Sequence, residues 1–130
     1  MKKLLLSCFL LTQLSGCAVY NAFFMAKYDN NEYELVTHIR TIAQTVDCEN
    51  NISLIDSSDQ VWFLSNELVN YTQYQPRNEK SNEMAVNLNS IAKGLHDKNG
   101  KMSKLYCEEK FNIIKTSAED IQRVTGSRPR

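Results

Sequence analysis

Apolar residues recur with helical spacing along most of this chain, beginning at Asp29. Asp29 is followed three residues later by Glu32, which is the spacing of a capping box at the first turn of a helix. Apolar residues then follow at intervals of four, three and four, which places them on one helix face: Leu35, Ile39, Ile42 and Val46. The pattern therefore predicts a first amphipathic helix in this segment.

A second helix is predicted from Ser57, which has Gln60 three residues later in the same capping arrangement. Its apolar face and the residues that widen that face are Val61, Trp62, Phe63, Leu64, Leu68, Val69 and Tyr71. Pro76 ends this helix or follows its end, because proline disfavours its continuation.

Two more helices are predicted in the second half of the chain. One begins near Ser81 and stops in the polar stretch 97–100, and the other begins near Ser103 and ends at Gly126. Their apolar faces are Met84, Leu88, Ile91 and Leu95 in the one, and Cys107, Phe111, Ile114, Ala118 and Ile121 in the other. No stretch alternates with a period of two for long enough to indicate a strand.

These segments predict an all-α fold, a small antiparallel helical bundle of about four helices in which each helix buries its apolar face. We assign residues 29–126 to this single helical domain and residues 127–130 to a basic tail. A domain of about 100 residues has room for one core of limited size, so a covalent cross-link would add appreciably to its stability.

The residues before the bundle have the features of an export signal. The start, Met1-Lys2-Lys3, is basic, and the apolar run 4–11 is shorter than the roughly 20 residues that a transmembrane helix needs. This run leads to Leu14-Ser15-Gly16-Cys17, which resembles the lipobox of bacterial lipoproteins. The resemblance implies that residues 1–16 are a cleaved signal peptide and that a lipid on Cys17 anchors the protein to a membrane. The alternative is an ordinary secretory signal with an incidental cysteine.

Residues 17–28 are the predicted lipidated tether. Ala18 follows the cysteine, at the position that influences sorting in the lipoproteins of enteric-type bacteria, where aspartate favours retention at the inner membrane. The resemblance therefore favours the outer membrane, with the protein facing the periplasm, and leaves the inner membrane as an alternative. The tether is aromatic, and its rings would lie at the bilayer interface or pack on the bundle: Tyr20, Phe23, Phe24 and Tyr28.

The cysteine count agrees with a lipid on Cys17. Cys8 leaves with the signal peptide, so acylation of Cys17 leaves Cys48 and Cys107 as a pair. These two are expected to form a disulfide in an oxidising periplasm, since antiparallel first and fourth helices would bring them to one end of the bundle. The alternative is two buried free thiols. The pair has neither metal-ligand spacing nor a CxxC redox motif.

Charge argues against a nucleic-acid partner. The full chain has 15 basic and 15 acidic residues. Removal of Lys2 and Lys3 with the signal, together with acylation of the terminal amine, gives the mature protein a net charge of about −2. A general nucleic-acid binder needs a clustered basic face or a much higher pI.

The sequence offers little support for catalysis. His38 and His96 are isolated from one another and are expected to be structural. No GxSxG, HExxH, P-loop or GxGxxG motif occurs. The adjacent carboxylates 108–109 and 119–120 point in different directions on a helix, so they are not expected to form an acid/base couple. We therefore expect no enzyme activity, no metal and no cofactor.

Three segments carry the candidate partner contacts, which are Trp62, Tyr71, Tyr74, Arg128 and Arg130. The tryptophan is of the kind that anchors interfaces, although a small bundle also needs large side chains in its core. The tyrosines lie in a connection that could stack on sugar rings, accept a peptide or pack on the domain. The tail arginines suit anionic cell-wall polymer, lipid headgroups or an acidic partner, unless the tail is disordered.

The expected function is that of a membrane-anchored periplasmic lipoprotein, a non-catalytic interaction or structural module of the cell envelope with an envelope protein as partner. Small exported lipoproteins of bacteria and phages also include inhibitors, exclusion factors and the outer-membrane subunits of phage lysis spanins. The spanin likeness covers only size and lipobox, because those subunits are often proline-rich and this chain has two prolines. A cell-wall hydrolase, the remaining alternative, would need carboxylates opposed across a cleft.

Overall fold

The computed structural model describes residues 25–130. They form four α-helices and no β-strand: α1, Asn30–Thr45; α2, Asn51–Thr72; α3, Glu79–His96; and α4, Lys104–Gly126. Each helix packs against its neighbour in the chain, and α4 returns to pack against α1. The predicted all-α antiparallel bundle is confirmed. The predicted signal peptide, the lipidation at Cys17 and the tether up to residue 24 lie outside the described residues.

Side-chain caps begin α1 and α4 where the sequence predicts them. The Asp29 carboxylate accepts hydrogen bonds from the backbone N–H groups of Asn31 and Glu32. The Ser103 hydroxyl accepts one from the backbone N–H of Tyr106. Each cap satisfies N–H groups that have no partner inside the helix. Glu32 does not complete the predicted capping box, because its carboxylate is buried among the helices.

The predicted start of α2 at Ser57 is wrong. The helix begins six residues earlier, at Asn51, where the Asn50 side chain accepts hydrogen bonds from the N–H groups of Ile52 and Ser53. Ser57 lies inside the helix. The neighbouring Ser58 is buried there, and its hydroxyl donates to the carbonyl of Leu54 one turn earlier. A hydroxyl satisfied in this way does not interrupt a helix, so a serine alone does not mark its start.

The core lies along the axis of the bundle. Its largest fully buried apolar side chains are Phe111, Ile39, Leu68, Leu88, Leu95, Ile114, Ile121, Val36 and Val61. The predicted face of α4 is buried throughout, from Cys107 to Ile121. The face of α1 is centred on Val36 and Ile39, while Leu35 and Ile42 are only partly buried. Among the helices of residues 25–130, none combines the length and apolar character needed to cross a bilayer.

The predicted disulfide joins Cys48, just after α1, to Cys107 in the first turns of α4. The two Cα atoms are 5.9 Å apart, and the two cysteines are 59 positions apart in sequence. The loop after α3 also crosses this end of the bundle at Gly100, whose φ of +75° favours glycine. A Cβ atom at Gly100 would lie 2.6 Å from the Asn51 side chain and 2.8 Å from that of Ile55. We call this region the disulfide end.

The opposite end of the bundle is closed by buried polar side chains, here called the polar cluster: Glu32, Asn78, Ser81, Thr125 and Arg128. The Arg128 guanidinium donates to both carboxylate oxygens of Glu32, at 2.8 and 3.3 Å. The same carboxylate accepts hydrogen bonds from the Ser81 and Thr125 hydroxyls and from the Asn78 amide. One buried carboxylate thereby links α1 to both α3 and α4.

The tail is folded onto this polar end of the bundle. Arg128 is buried, which contradicts its prediction as a surface contact, because Glu32 offers its guanidinium a paired site out of water. The backbone N–H of Tyr28 donates to the carbonyl of Pro129 at 2.9 Å. Arg130 remains exposed, with its guanidinium 5.5 Å from the centre of the Tyr28 ring. The last residues of the tether and the tail therefore lie against one another.

Candidate partner-binding surface

An open groove of about 600 Å³ runs between α1 and α2. Its lining residues are His38, Thr41 and Ile42 from α1, and Asp59, Gln60, Phe63 and Leu64 from α2. Ile42 and Leu64 are partly buried against the core, so they form an apolar floor. The polar side chains stand at the edges. This combination of apolar floor and polar rim is typical of sites that accept a hydrophobic side chain from a partner.

Phe63 is the most distinctive member of the groove, because 66% of its surface is exposed. The buried positions of α2 recur at three- and four-residue intervals, at 54, 58, 61, 65, 68 and 72. Residue 63 lies midway between two of them in sequence, so it points away from the core. Isolated apolar residues are normal on protein surfaces, whereas an exposed aromatic ring beside an apolar floor is typical of protein contact sites.

Trp62, the predicted aromatic contact, is placed differently from its neighbour Phe63. Its indole is partly buried against the core and stacks on the His96 ring, with ring centres 4.0 Å apart and an angle of 14° between the planes. His96 Nδ1 lies 2.8 Å from a carboxylate oxygen of Asp59. Asp59 therefore fixes the position of His96 while its own carboxylate lies at the rim of the groove. Trp62 supports the α2–α3 interface, and Phe63 is the more accessible ring.

The predicted tyrosine and arginine contacts lie at the polar end of the bundle, away from the groove. The Tyr71 hydroxyl donates to the Asp29 carboxylate at about 2.9 Å, which holds the end of α2 against the start of α1. Tyr74 is 84% exposed in the connection after α2. Arg130 is exposed nearby on Tyr28, whereas Arg128 is buried. The five predicted contacts therefore do not form one surface.

The described residues contain no group of three or more His, Cys, Asp or Glu side chains placed to hold a metal ion. His38 is exposed at the groove, and His96 is engaged with Asp59. At the disulfide end, a hydrogen bond to the Glu49 carboxylate, reinforced by its charge, raises the pKa of Lys104. Both side chains are exposed and neither lines the groove, so this contact is a surface ion pair.

Sequence reasoning did not identify the groove, although one signal was present. Trp62 and Phe63 are adjacent, and the apolar pattern alone assigns both to a widened core face. Once the register of α2 is known from Val61, Ser65 and Leu68, residue 63 falls opposite the core. The buried serines hid this register, because a polar residue is not counted in an apolar stripe.

Comparison of the chain with protein-family models, with curated proteins and with solved structures finds no match. The candidate surface is therefore defined by the side chains of this chain alone. Its distinguishing features are the exposed Phe63 ring, the apolar floor beside it and the Asp59 carboxylate among its lining residues.

Proposed function

We propose that this protein is a membrane-anchored lipoprotein of the bacterial envelope, facing the periplasm, and that its helical body is a non-catalytic interaction module for an envelope protein. The lipobox-like segment ending at Cys17 supports the anchor. A small body closed at both ends supports a rigid module, because its binding surface is held in place before a partner arrives.

The observation that carries the proposal is the exposure of Phe63 in the α1–α2 groove. Burying a phenylalanine side chain is worth about 1.5–3 kcal/mol, and this bundle leaves most of that free energy unused. Aromatic rings in such settings are frequent energetic centres of protein interfaces. A partner that covers Phe63 would recover this free energy without any chemical step.

The anchor would set the orientation of the bundle. Met25 lies eight positions after Cys17 in the sequence, a span of at most about 29 Å when fully extended. Met25 enters the bundle beside α1 at the polar end, so that end would face the membrane. Helix α2 has 22 residues and is about 33 Å long, so the disulfide end would lie that much farther from the bilayer. The groove would open sideways between the two.

The anchor is tested by changing Cys17 to Ser, with Cys8→Ser as the matched control in the leader. We expect Cys17→Ser to abolish labelling by a radioactive fatty acid and to move the protein out of the membrane fraction. Cys8→Ser should leave labelling and fractionation as they are. Continued membrane fractionation of Cys17→Ser would contradict a lipid anchor.

The interaction role is tested in cells with a photocrosslinking amino acid placed at position 63. The matched position is 105, because Leu105 is also an exposed apolar residue, 74% accessible, but lies in the first turn of α4 outside the groove. We expect a discrete crosslinked product from position 63 and none from position 105. Equal crosslinking at both positions, or none at either, would contradict a partner at the groove.

A further inference from the structure

The charged residues of this bundle are divided between its two halves. In α1, α2 and their connection, residues 30–72, the chain has seven acidic residues and a single basic one, Arg40. In residues 73–130 it has eleven basic and seven acidic residues. Residues 30–72 therefore carry a net negative charge and residues 73–130 a net positive one. The excess of basic residues in the second half lies in the connections and the tail, because the charges within α3 and within α4 balance.

Four of the seven acidic side chains of the first half lie on the outer face of the α1–α2 pair, while Glu32 is buried in the polar cluster and the other two lie in the connection. Helical spacing places Glu34 on the face of α1 that has His38 and Thr41, and it places Asp56 and Glu67 on the face of α2 that has Phe63. All three carboxylates are exposed and form no ion pair within residues 25–130.

The single arginine of this half does not neutralise the groove. Thr37, one turn before Arg40, accepts a hydrogen bond from the Gln122 side chain of α4. Arg40 therefore lies on the side of α1 that faces α4, away from α2. Within residues 25–130, Asp59 at the rim pairs with the His96 ring. An apolar groove with a rim of carboxylates attracts a ligand that is both apolar and basic.

From these observations we propose that the α1–α2 groove binds a basic amphipathic helix of a partner protein. Apolar side chains of that helix, spaced three and four residues apart, would pack on Phe63, Ile42 and Leu64. Its lysine or arginine side chains would lie against the acidic rim, in the manner of helix-in-groove recognition. The inference rests on the proposed interaction role and specifies the chemistry of the partner.

A second copy of this chain fits the groove less well. The side of one copy opposite its own groove is formed by α3 and α4, which carry six basic and six acidic residues, so this side offers the acidic rim no net positive charge. Docking of that side into a neighbour's groove would be head-to-tail and would continue from copy to copy without closing. Nucleic acid and anionic lipid are disfavoured, because the rim carboxylates repel phosphate groups.

The test uses the oxidised mature chain, residues 17–130, carrying Cys17→Ser so that no lipid competes for the probe. The probe is a 14-residue helical peptide with leucines at three- and four-residue spacing and lysines elsewhere. The control peptide keeps the leucines and replaces every lysine with glutamate. Affinity is measured by isothermal titration calorimetry, and the contact residues are mapped by amide chemical shifts.

We expect the lysine peptide to bind at least about tenfold more tightly than the glutamate peptide, and to bind more weakly as salt is raised. Phe63→Ala should weaken binding by about tenfold or more, as removal of a central aromatic contact does. The matched variant Leu105→Ala should bind as the parent protein does. Shift changes should centre on His38, Ile42 and Phe63.

Equal affinity for the two peptides would overturn the basic character of the partner while leaving a non-catalytic interaction role intact. Equal weakening by Phe63→Ala and Leu105→Ala, or shift changes confined to α3 and α4, would overturn the groove as the site. The oligomeric state of the chain without peptide, measured by analytical ultracentrifugation, tests whether a second copy of the chain occupies the groove. Self-association that is abolished by Phe63→Ala would assign the groove to a second copy and overturn the helix proposal.

Discussion

The disulfide end and the polar end of the bundle hold the same pair of helices by different means. Three of the four helix contacts are supported by a connecting loop, but α1 and α4 are the first and last helices and have none between them. At one end the Cys48–Cys107 disulfide joins them covalently. At the other, Glu32 of α1 accepts hydrogen bonds from Thr125 and Arg128, at the end of α4 and just beyond it.

The disulfide and the buried ion pair stabilise the fold in different ways, one through the unfolded state of the chain and the other through the folded state. A disulfide acts chiefly by limiting the conformations of the unfolded chain. The Glu32–Arg128 pair acts only in the folded state, where it must offset the loss of hydration of two charges. Its additional hydrogen bonds to Ser81 and Asn78 connect the pair to the start of α3. The disulfide end therefore ties two helices together, whereas the polar end specifies how three of them meet.

Of the changes considered at the two ends, removal of the disulfide should lower the free energy of unfolding the most. For a loop closed across 59 residues, the chain-entropy model gives a stabilisation of about 4 kcal/mol. We expect Cys48→Ala with Cys107→Ala, or reduction of the parent, to lower the free energy of unfolding by that amount in urea titrations. A loss below about 1 kcal/mol would show that the reduced chain already holds these residues together.

Removing the Glu32–Arg128 pair at the polar end should lower the free energy of unfolding by nearly as much. Arg128→Ala leaves the Glu32 carboxylate buried without its partner, a change that typically costs about 3–5 kcal/mol. We expect a value near 3 kcal/mol in urea titrations, because water can enter where the exposed neighbours Ser127 and Arg130 lie. The matched control is Arg130→Ala, which removes an exposed guanidinium and should change the stability by less than about 1 kcal/mol. Similar losses for the two variants would mean that Arg128 is not enclosed.

A glycine pair tests how tightly the loop closes the disulfide end. Gly100→Ala should destabilise the protein by about 2 kcal/mol, because alanine disfavours a φ of +75° and its Cβ would crowd Asn51 and Ile55. Gly94→Ala, in α3, has no neighbour within 4 Å of the new Cβ and should stabilise by about 1 kcal/mol. Thermal unfolding followed by circular dichroism measures both. The two substitutions are expected to change the melting temperature in opposite directions. A change in the same direction for both would contradict the close approach at Gly100.

The smallest change in stability is expected at the surface of the disulfide end. There the hydrogen bond and the charge of Glu49 raise the pKa of Lys104 above its usual 10.5. A raised pKa in the folded state means that this contact stabilises the protein below pH 10.5 and ceases to do so as the pH rises through the folded value. Glu49→Gln should therefore lower the pKa of Lys104 and leave the pH dependence of stability between pH 5 and 8 unaltered. A titration of the Lys104 side-chain carbon signals by NMR checks this, with Glu119→Gln as the remote control.

The helices were predictable wherever their signals are local. Ser103 caps α4, and the apolar residues from Cys107 to Ile121 give its register, because each feature is legible within one or two turns. The start of α2 was missed because Asn50 and Ser57 are equally plausible caps by residue type. Only burial of Leu54 against the core decides between them.

The polar end was not predictable, because its members are brought together only by the tertiary fold. Glu32 has the spacing of a local capping partner for Asp29, and Arg128 has the appearance of a solvated tail residue. They are 96 positions apart in the chain, yet they form a buried pair. The groove shares this property: the outward direction of Phe63 depends on the register of α2, which buried serines obscure.

The contact between Tyr28 and Pro129 determines how the molecule would carry a mechanical load. If the chain is anchored through Cys17 as proposed, a pull would reach the bundle at the buried Ala26 and at Tyr28, whose N–H group is held by the Pro129 carbonyl. This hydrogen bond and the contact between Arg130 and the Tyr28 ring would then bear the force before α1 does, so residues 25–28 would separate from the tail first. The disulfide lies at the far end of α1, outside this path. Tension would therefore loosen the polar end while the rest of the bundle stayed cross-linked.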